Sequence, residues 1–178
     1  EAILVLFAHA GLRLRELVDL DADQLDLEDA RLRAVRRKGG ARKDLVVNRE
    51  VVRVLRAWLR VRGKRAQPEE RALFVSRERR RLSRRMVQIL VRRYAHAAGI
   101  EGRASPHVFR HNFAYLVQKR GGTIRAAQEL LNHARITTTA IYSRASERDL
   151  REAVARLEDL TRPPRPRRGR TPPTTVQP

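Results

Sequence analysis

The stretch Q-L-D-L-E-D-A-R-L-R-A-V-R-R-K-G-G-A-R-K-D-L-V-V-N, residues 24–48, marks a change in the periodicity of the chain. Segments 24–28 and 31–37 alternate between apolar and polar residues, which is typical of half-buried strands. D-A and K-G-G-A-R-K follow these segments and are turn sequences, and segment 44–48 is predicted to be a third short strand. The stretch therefore predicts a small antiparallel sheet with a basic second hairpin.

Helical periodicity dominates on both sides of this stretch. Gly11 is predicted to end a first helix, residues 1–10, in a left-handed conformation. Asn48, Ser83 and Ser105 are predicted N-caps of three later helices. Further helices are predicted for residues 13–20, 123–133 and 146–160. The predicted fold class is therefore α+β, mainly helical, with a small three-stranded antiparallel sheet.

The charge of the chain is high and unevenly distributed. Lys and Arg number 40 against 20 Asp and Glu, for a net charge of +20 over 178 residues. Residues 1–30 contain eight acidic and two basic side chains and carry −6, so the remainder carries +26. This balance favours a nucleic acid partner. An arginine-biased genome is the alternative source of the charge, and no stretch has the aromatic-rich apolar face of a membrane-surface helix.

The absence of cysteine excludes disulfides, thiolate metal sites and cysteine nucleophiles. No apolar run reaches membrane-spanning length and no signal peptide is visible. The chain starts at Glu1 inside a helical pattern, so we expect a fragment that lacks its N-terminal part. Residues 1–160 are predicted to form one domain. Residues 161–178 are rich in Arg and Pro, and we predict that they form a disordered tail.

Four separated patches contain polar residues of chemical interest. They are G-L-R-L-R-E-L with Arg13, R-R-K-G-G with Lys38, S-P-H-V-F-R-H with His107 and Arg110, and N-H-A-R-I-T-T-T-A-I-Y with His133 and Tyr142. Each patch alone also has a structural interpretation. Arg13 and Glu16 form a local ion pair in that interpretation, and Lys38 is a solvated hairpin residue. His107 and His111 at i and i+4 suggest a metal site, but no thiolate or nearby carboxylate completes it.

Taken together, the four patches fit attack on a phosphodiester. Two guanidiniums can hold the non-bridging oxygens of the phosphate bidentately, without a metal. A lysine or histidine can protonate the leaving oxygen. A phenol is a suitable reversible nucleophile, because phenolate leaves more readily than an alkoxide. Its pKa of about 10 requires activation by neighbouring cations and a histidine.

The order and spacing of these motifs resemble the catalytic domain of the tyrosine recombinases, that is, phage integrases and Xer-type enzymes. G-L-R-x-x-E-L, a hairpin lysine before glycine, H-x-x-R-H, and L-x-H followed nine residues later by Tyr carry the resemblance over residues 1–160. The implied catalytic residues are Arg13, Lys38, His107, Arg110, His133 and Tyr142. Asn132 stands where the family usually has glycine, and the N-terminal DNA-clamping domain of the family is absent from this chain.

The resemblance implies a role for each of these residues. Arg13 and Arg110 would grip the scissile phosphate, and Lys38 would be the general acid for the leaving 5′ oxygen. His107 would help to deprotonate the nucleophile Tyr142. His133 would hydrogen-bond the phosphate, and Glu16 would be a buried acidic support.

By the same resemblance the chain is expected to be an enzyme, a site-specific DNA recombinase with a 3′-phosphotyrosine intermediate and no metal or other cofactor. The expected partners are double-stranded DNA and further copies in a tetramer, or a paralogue, in the cytoplasm on the nucleoid. A type IB topoisomerase and a non-catalytic DNA-binding protein of the same fold are the alternatives. From their basic clustering we predict DNA contacts at Arg36, Arg37, Arg42, Lys43, Arg79, Arg80, Arg81, Arg84 and Arg85.

The terminal helix, residues 146–160, has a short apolar stripe of Leu150, Val154 and Leu157. Such a stripe must be buried for the helix to be stable. Two outcomes stay open at this point. The helix exchanges in trans onto a neighbouring protomer, as the resemblance implies, or it packs in cis on its own domain.

Overall fold

The structure is a computed structural model that describes residues 1–36, 40–100, 104–131, 147–155 and 157, with only the backbone of 124 and 147–149. Its helices are α1 (Ala2–Ala10), α2 (Leu14–Val18), α3 (Arg49–Gly63), α4 (Arg84–Ala97), α5 (Pro106–Lys119), α6 (Ile124–Leu131) and α7 (Glu147–Ala155). Its strands are β1 (Leu25–Asp26), β2 (Arg31–Arg36) and β3 (Arg42–Val46). A 3-10 turn, Ala22–Gln24, precedes β1. The prediction of a mainly helical α+β fold is confirmed.

The three strands form one antiparallel sheet in the order β1-β2-β3. Arg42 and Lys43 pair with Arg36 and Val35 across the second hairpin. The prediction that both residues belong to the turn is therefore wrong, because cross-strand pairing extends the strand beyond its apolar segment. The pairing of β2 with β3 is interrupted by a bulge between Leu32 and Val35.

The core forms around α1, which packs against α3 and α5. α1 is apolar on almost every side, and Leu6 and Phe7 are fully buried. The apolar stripe of α3 covers it with Val51 and Leu55, and α5 contributes Phe113. A helix that is apolar all round belongs in a core, so α1 is the element around which the basic, amphipathic helices assemble.

The three predicted N-caps and the predicted end of the first helix at Gly11 are confirmed. The side chains of Asn48, Ser83 and Ser105 accept the main-chain N–H groups three residues ahead, at 3.1, 3.2 and 3.4 Å. Gly11 ends α1 with φ 58°, the left-handed conformation that glycine adopts without steric penalty. These caps satisfy main-chain donors and acceptors that the helices leave unpaired.

α7 packs in cis, against α6 and β3 of its own domain. Its residues Ala153 and Val154, with the following Leu157, are buried. The Asn48 side-chain amide donates to the Val154 carbonyl at 3.0 Å, which ties the end of α7 to the start of α3. In this structure Val154 and Leu157 of the stripe are thus buried, and Leu150 partly buried, without a second protomer. The predicted start of this helix at residue 146 and the tail 161–178 lie outside the described residues.

Candidate active site

Arg13 stands between α1 and α2, directly after the glycine turn. Its main-chain N–H donates to Glu16 Oε2 at 2.8 Å, and its Nη1 donates to Glu16 Oε1 at 2.8 Å. Its side chain is 32% exposed, whereas that of Glu16 is 3% exposed. The carboxylate therefore holds the guanidinium from the protein side and leaves its other edge towards solvent.

Glu16 also joins Arg13 to Arg110, which is 97 positions away in sequence. Its Oε2 lies 3.8 Å from Arg110 Nη1, and Arg110 is itself only 9% exposed. One buried carboxylate next to two guanidiniums leaves a net positive charge. That excess favours an anionic ligand at the exposed edge of the pair.

Arg110 is fixed further by two main-chain carbonyls. Its Nη1 donates to the Gly11 carbonyl and its Nη2 to the Leu131 carbonyl. Gly11 cannot be replaced here without displacement, because a Cβ at that position would lie 2.6 Å from Phe113 Cδ1 and 2.9 Å from Leu131 Cδ2. The turn after α1, the middle of α5 and the end of α6 thus meet at one guanidinium.

His107 lies in the first turn of α5, one helical turn before Arg110, and is exposed. Its ring stacks on that of His111, with a centroid distance of 4.6 Å and an interplanar angle of 23°. Neighbours at i and i+4 share a helix face, and this stacking restrains the orientation of His107. A ligand bound by Arg13 and Arg110 would therefore contact the His107 imidazole, which lines the same pocket.

Arg13, His107 and Arg110 line a single open pocket of about 570 Å³. The full lining is Arg13, Leu14, Arg15, Arg84, Gln88, Ser105, Pro106, His107, Arg110, His111, Ala114 and Leu131. The structure therefore brings together three of the six predicted catalytic residues. Lys38, His133 and Tyr142 lie outside the described residues, as does Arg37.

Among the lining residues that sequence reasoning did not place in the site, Arg15, Gln88 and His111 have side chains that can contact an anionic ligand. His111 was considered only as a metal ligand, although its i+4 spacing from His107 indicated a shared face. Gln88 lies one turn after Arg84 on α4, so the same spacing rule could have found it. Nothing in the local sequence distinguishes Arg15 from the many other exposed arginines.

Most of the predicted DNA contacts are accessible. Arg36, Arg42, Arg79, Arg80, Arg84 and Arg85 are exposed. Arg84 lines the same pocket as Arg13 and Arg110, which places the start of α4 beside the arginine pair. Lys43 is half-buried, and its Nζ lies 3.6 Å from Glu129 Oε1.

Arg81 has a structural role, which argues against the predicted DNA contact. Its Nη1 donates to the carbonyls of Val18 at 2.8 Å and Leu20 at 3.2 Å, and its Nη2 donates to the Asp21 carboxylate. A guanidinium with three internal acceptors connects the end of α2 to the segment before α4. The local sequence could not indicate this role, because the five arginines at positions 79–81 and 84–85 give no sign of which one turns inward.

Within the described ranges no cluster of three or more His, Asp or Glu side chains could hold a metal ion. In that same part of the chain, no helix has both the length and the apolarity needed to cross a membrane.

Comparison with known proteins gives consistent matches. A sequence model described as the phage integrase family matches residues 1–148. Tyrosine recombinase XerC of Azotobacter vinelandii is 45% identical over 143 residues, or 80% of this chain and 47% of the relative. XerA recombinase, a solved structure, superposes with a TM-score of 0.69 at 35% identity, over 85% of this chain and 55% of that chain. The integrase from mycobacterium phage Brujita superposes with a TM-score of 0.70 at 27% identity, over 88% and 50% of the two chains.

The chain thus spans about half the length of the curated relatives that it matches, with 47% of the XerC relative covered. The similarity includes the residues of the pocket, since Arg13, His107 and Arg110 all lie within the matched range 1–148.

Proposed function

Because the chain belongs to the phage integrase family, we propose that it carries the catalytic part of a site-specific DNA recombinase. In this proposal the protein breaks and rejoins DNA strands through a 3′-phosphotyrosine intermediate. The observation that carries the proposal is the pair Arg13 and Arg110, joined by the buried Glu16 at a pocket that His107 also lines.

The arginine pair is suited to a phosphodiester in the transition state of attack. Negative charge then increases on the two non-bridging oxygens, and preorganised donors at that position lower the barrier. Arg110 is preorganised by its two carbonyl partners and Arg13 by Glu16, so neither side chain has to reorganise when the phosphate binds. The excess positive charge of the pair supplies the stabilisation.

The remaining steps are assigned to family positions of this chain. The Tyr142 oxygen attacks phosphorus while its proton passes to His107, and His133 donates a hydrogen bond to the phosphate. The bond from phosphorus to the 5′ oxygen breaks, and Lys38 gives that oxygen a proton. A 5′ hydroxyl from a second strand then attacks the phosphotyrosine and releases Tyr142. Neither a nucleotide cofactor nor a metal is required for this exchange.

We propose double-stranded DNA as the substrate and partner, in the cytoplasm on the nucleoid. The +26 carried by residues 31–178 supports this choice, as does the exposed cluster at the start of α4 with Arg84 in the pocket. Strand exchange between two sites requires several catalytic domains at once, so we propose a tetramer on DNA. It consists of copies of this protein or of this protein and a paralogue.

The nucleophile can be tested with a suicide DNA substrate that carries a nick beside the scissile phosphate, so that cleavage is not reversed. The full-length protein should leave a DNA adduct that resists denaturation, and Tyr142→Phe should remove it without loss of binding. The chain contains two further tyrosines as matched controls, Tyr94 and Tyr115, which are 50% and 59% exposed. Their Phe variants should retain the adduct. An adduct that persists in Tyr142→Phe contradicts the mechanism.

A plasmid relaxation assay and the adduct assay together separate the alternative functions. Relaxation of a supercoiled plasmid without a second site would indicate a type IB topoisomerase. Binding without any adduct, from the wild-type protein, would indicate a DNA-binding protein that keeps the fold without the reaction.

A further inference from the structure

The bulge in β2 is an irregularity beside the hairpin that contains Lys38. Leu32 pairs with Leu45 and Val35 pairs with Lys43, so Arg33 and Ala34 together face the single residue Asp44 on β3. Ala34 has φ 47°, in the left-handed region that residues with a Cβ adopt at a steric cost. The backbone is therefore strained at a defined point, two residues before the end of β2.

The bulge reverses the faces of the sheet for the described residues of β2 that follow it, Val35 and Arg36. Leu32 and Val35 are both fully buried although they are three residues apart. In a regular strand, residues share a face when an even number of positions separates them. A shift of one residue moves every later side chain to the opposite face. The base of the second hairpin, the pair Arg36 and Arg42, thus receives its orientation from the bulge.

Two polar side chains hold the bulge in place. Gln24 Nε2 donates to the carbonyls of Arg33 and Ala34 at 2.9 and 3.0 Å, and Gln24 Oε1 accepts the Asp21 N–H at 2.8 Å. On the other side, Asp44 Oδ1 accepts the Ala34 N–H at 2.9 Å. The main-chain groups of Ala34 are thus held from both sides by side chains.

The side chain of the other bulged residue, Arg33, is also held. Its Nε donates to Asp26 Oδ2 at 2.9 Å, across the β1–β2 pair. The Asp29 N–H and this guanidinium hold the pKa of Asp26 below its usual range. The Arg33 side chain is therefore bound within the sheet.

The strained bulge and the hydrogen bonds of Gln24 and Asp44 that hold it are not required for a three-stranded sheet to form. A glycine at position 34 would adopt the same backbone without strain, and a strand without a bulge would need neither Gln24 nor Asp44. Strained backbone that is held by surrounding side chains is concentrated at functional sites. Bulges next to active sites commonly redirect a side chain. The nearest catalytic candidate is Lys38, two residues beyond the last described pair of β2.

We propose that Gln24 and Asp44 are positioning residues for Lys38. They stabilise the bulge, and the bulge sets the orientation of the Arg36–Arg42 pair at the base of the hairpin. Lys38 follows Arg36 by two residues, so its action as the general acid should depend on that orientation. The inference rests on the proposed function, in which Lys38 protonates the leaving 5′ oxygen. A loosened bulge should therefore impair protonation of the leaving group and spare both DNA binding and attack by Tyr142.

The leaving group provides a readout that a general loss of structure would not produce. If sulfur replaces the bridging 5′ oxygen of the scissile phosphate, the thiolate leaves without protonation, because a thiol has a pKa of about 8.5. Defects in the general acid should thus disappear on the sulfur substrate, whereas defects in folding, binding or the nucleophile should remain. The probes are two nicked suicide DNAs that differ only in this atom.

The variants are Gln24→Ala and Asp44→Ala in the full-length protein, with Lys38→Met as the reference for loss of the acid. General acids contribute roughly 100- to 10,000-fold, so misplacement of Lys38 should slow cleavage of the oxygen substrate by about tenfold or more. On the sulfur substrate both variants should cleave at nearly the wild-type rate. Asp44→Asn, which keeps an acceptor for the Ala34 N–H, should retain activity on both substrates. Asp23→Ala, an exposed residue of the same 3-10 turn, is the matched control and should behave as wild type.

The outcomes separate the inference from the function on which it rests. If sulfur does not restore Lys38→Met, Lys38 is not the general acid, and that part of the proposed function is wrong. If sulfur restores Lys38→Met but leaves Gln24→Ala and Asp44→Ala slow, or if these variants are not slowed on oxygen at all, the positioning role is refuted.

A further variant tests the inference in the case that Gln24→Ala does not fold. Ala34→Gly removes the backbone strain, so Gln24→Ala combined with Ala34→Gly should fold and regain cleavage of the oxygen substrate. A double variant that folds and remains equally slow on both substrates also refutes the inference.

Discussion

Asn48 offers a sharp test of how the terminal helix is attached, because one side chain serves three elements. Its Oδ1 caps α3 by accepting the Val51 N–H at 3.1 Å. Its Nδ2 donates to His9 Nδ1 on α1 at 2.9 Å and to the Val154 carbonyl of α7 at 3.0 Å. The residue is 3% exposed, so water does not readily replace any of these bonds.

Replacement by alanine should lower the free energy of unfolding by more than the loss of a cap. Loss of an N-cap costs about 1 kcal/mol. Loss of the donor to the buried His9 Nδ1 costs about 1–3 kcal/mol. Loss of the bond to the Val154 carbonyl, which keeps the Leu157 N–H as a donor, costs about 1 kcal/mol. Asn48→Ala should therefore lose about 3–5 kcal/mol in total, a large fraction of the 5–15 kcal/mol that is typical of a domain.

Ser83→Ala is the matched control, since Ser83 caps α4 with one exposed bond to the Met86 N–H and makes no buried tie. It should lose about 1 kcal/mol. Asn48→Ser keeps an oxygen for the cap but lacks the amide donors, and should fall between the two. Urea unfolding followed by circular dichroism measures all three, with Trp58 fluorescence as a second probe. If Asn48→Ala loses no more than Ser83→Ala, the ties to α1 and α7 contribute nothing and the reasoning is wrong.

Two further predictions concern the arginine pair and DNA affinity. Gly11→Ala should lower the free energy of unfolding by about 3 kcal/mol, through a strained φ and contact with Phe113, and should slow DNA cleavage because the Gly11 carbonyl holds Arg110. Gly40→Ala, which has a positive φ but nothing within 4 Å, should lose only the smaller conformational part, and equal losses would contradict the packing argument. DNA affinity should fall steeply with salt, because bound phosphates release counterions. Arg84→Ala should lower the slope of log affinity against log salt concentration by about one. Arg81→Ala should leave this slope unchanged and lower the free energy of unfolding. A DNA affinity that does not vary with salt would refute the electrostatic account.

The local parts of the fold were predictable from the sequence. The caps at Asn48, Ser83 and Ser105 and the left-handed Gly11 were predicted correctly, because each depends on one residue and its near neighbours. The sheet was predicted from alternation, although the extent of β3 was not, since pairing with β2 determines where that strand begins. The candidate residues Arg13, His107 and Arg110 were identified from motif and spacing, and all three line one pocket.

By itself, then, the sequence determined which helices and strands form and where several of them end, because short-range sterics and hydrogen bonds govern these features. It also determined which residue types are available for phosphate chemistry. Only the tertiary structure decided which groups meet over long separations. It joined Glu16 to Arg110, directed Arg81 inward, placed the bulge opposite Asp44 and bound α7 to Asn48. The physical reason is that these contacts depend on how the buried faces pack together, and one residue of register or one turn of a helix changes every partner.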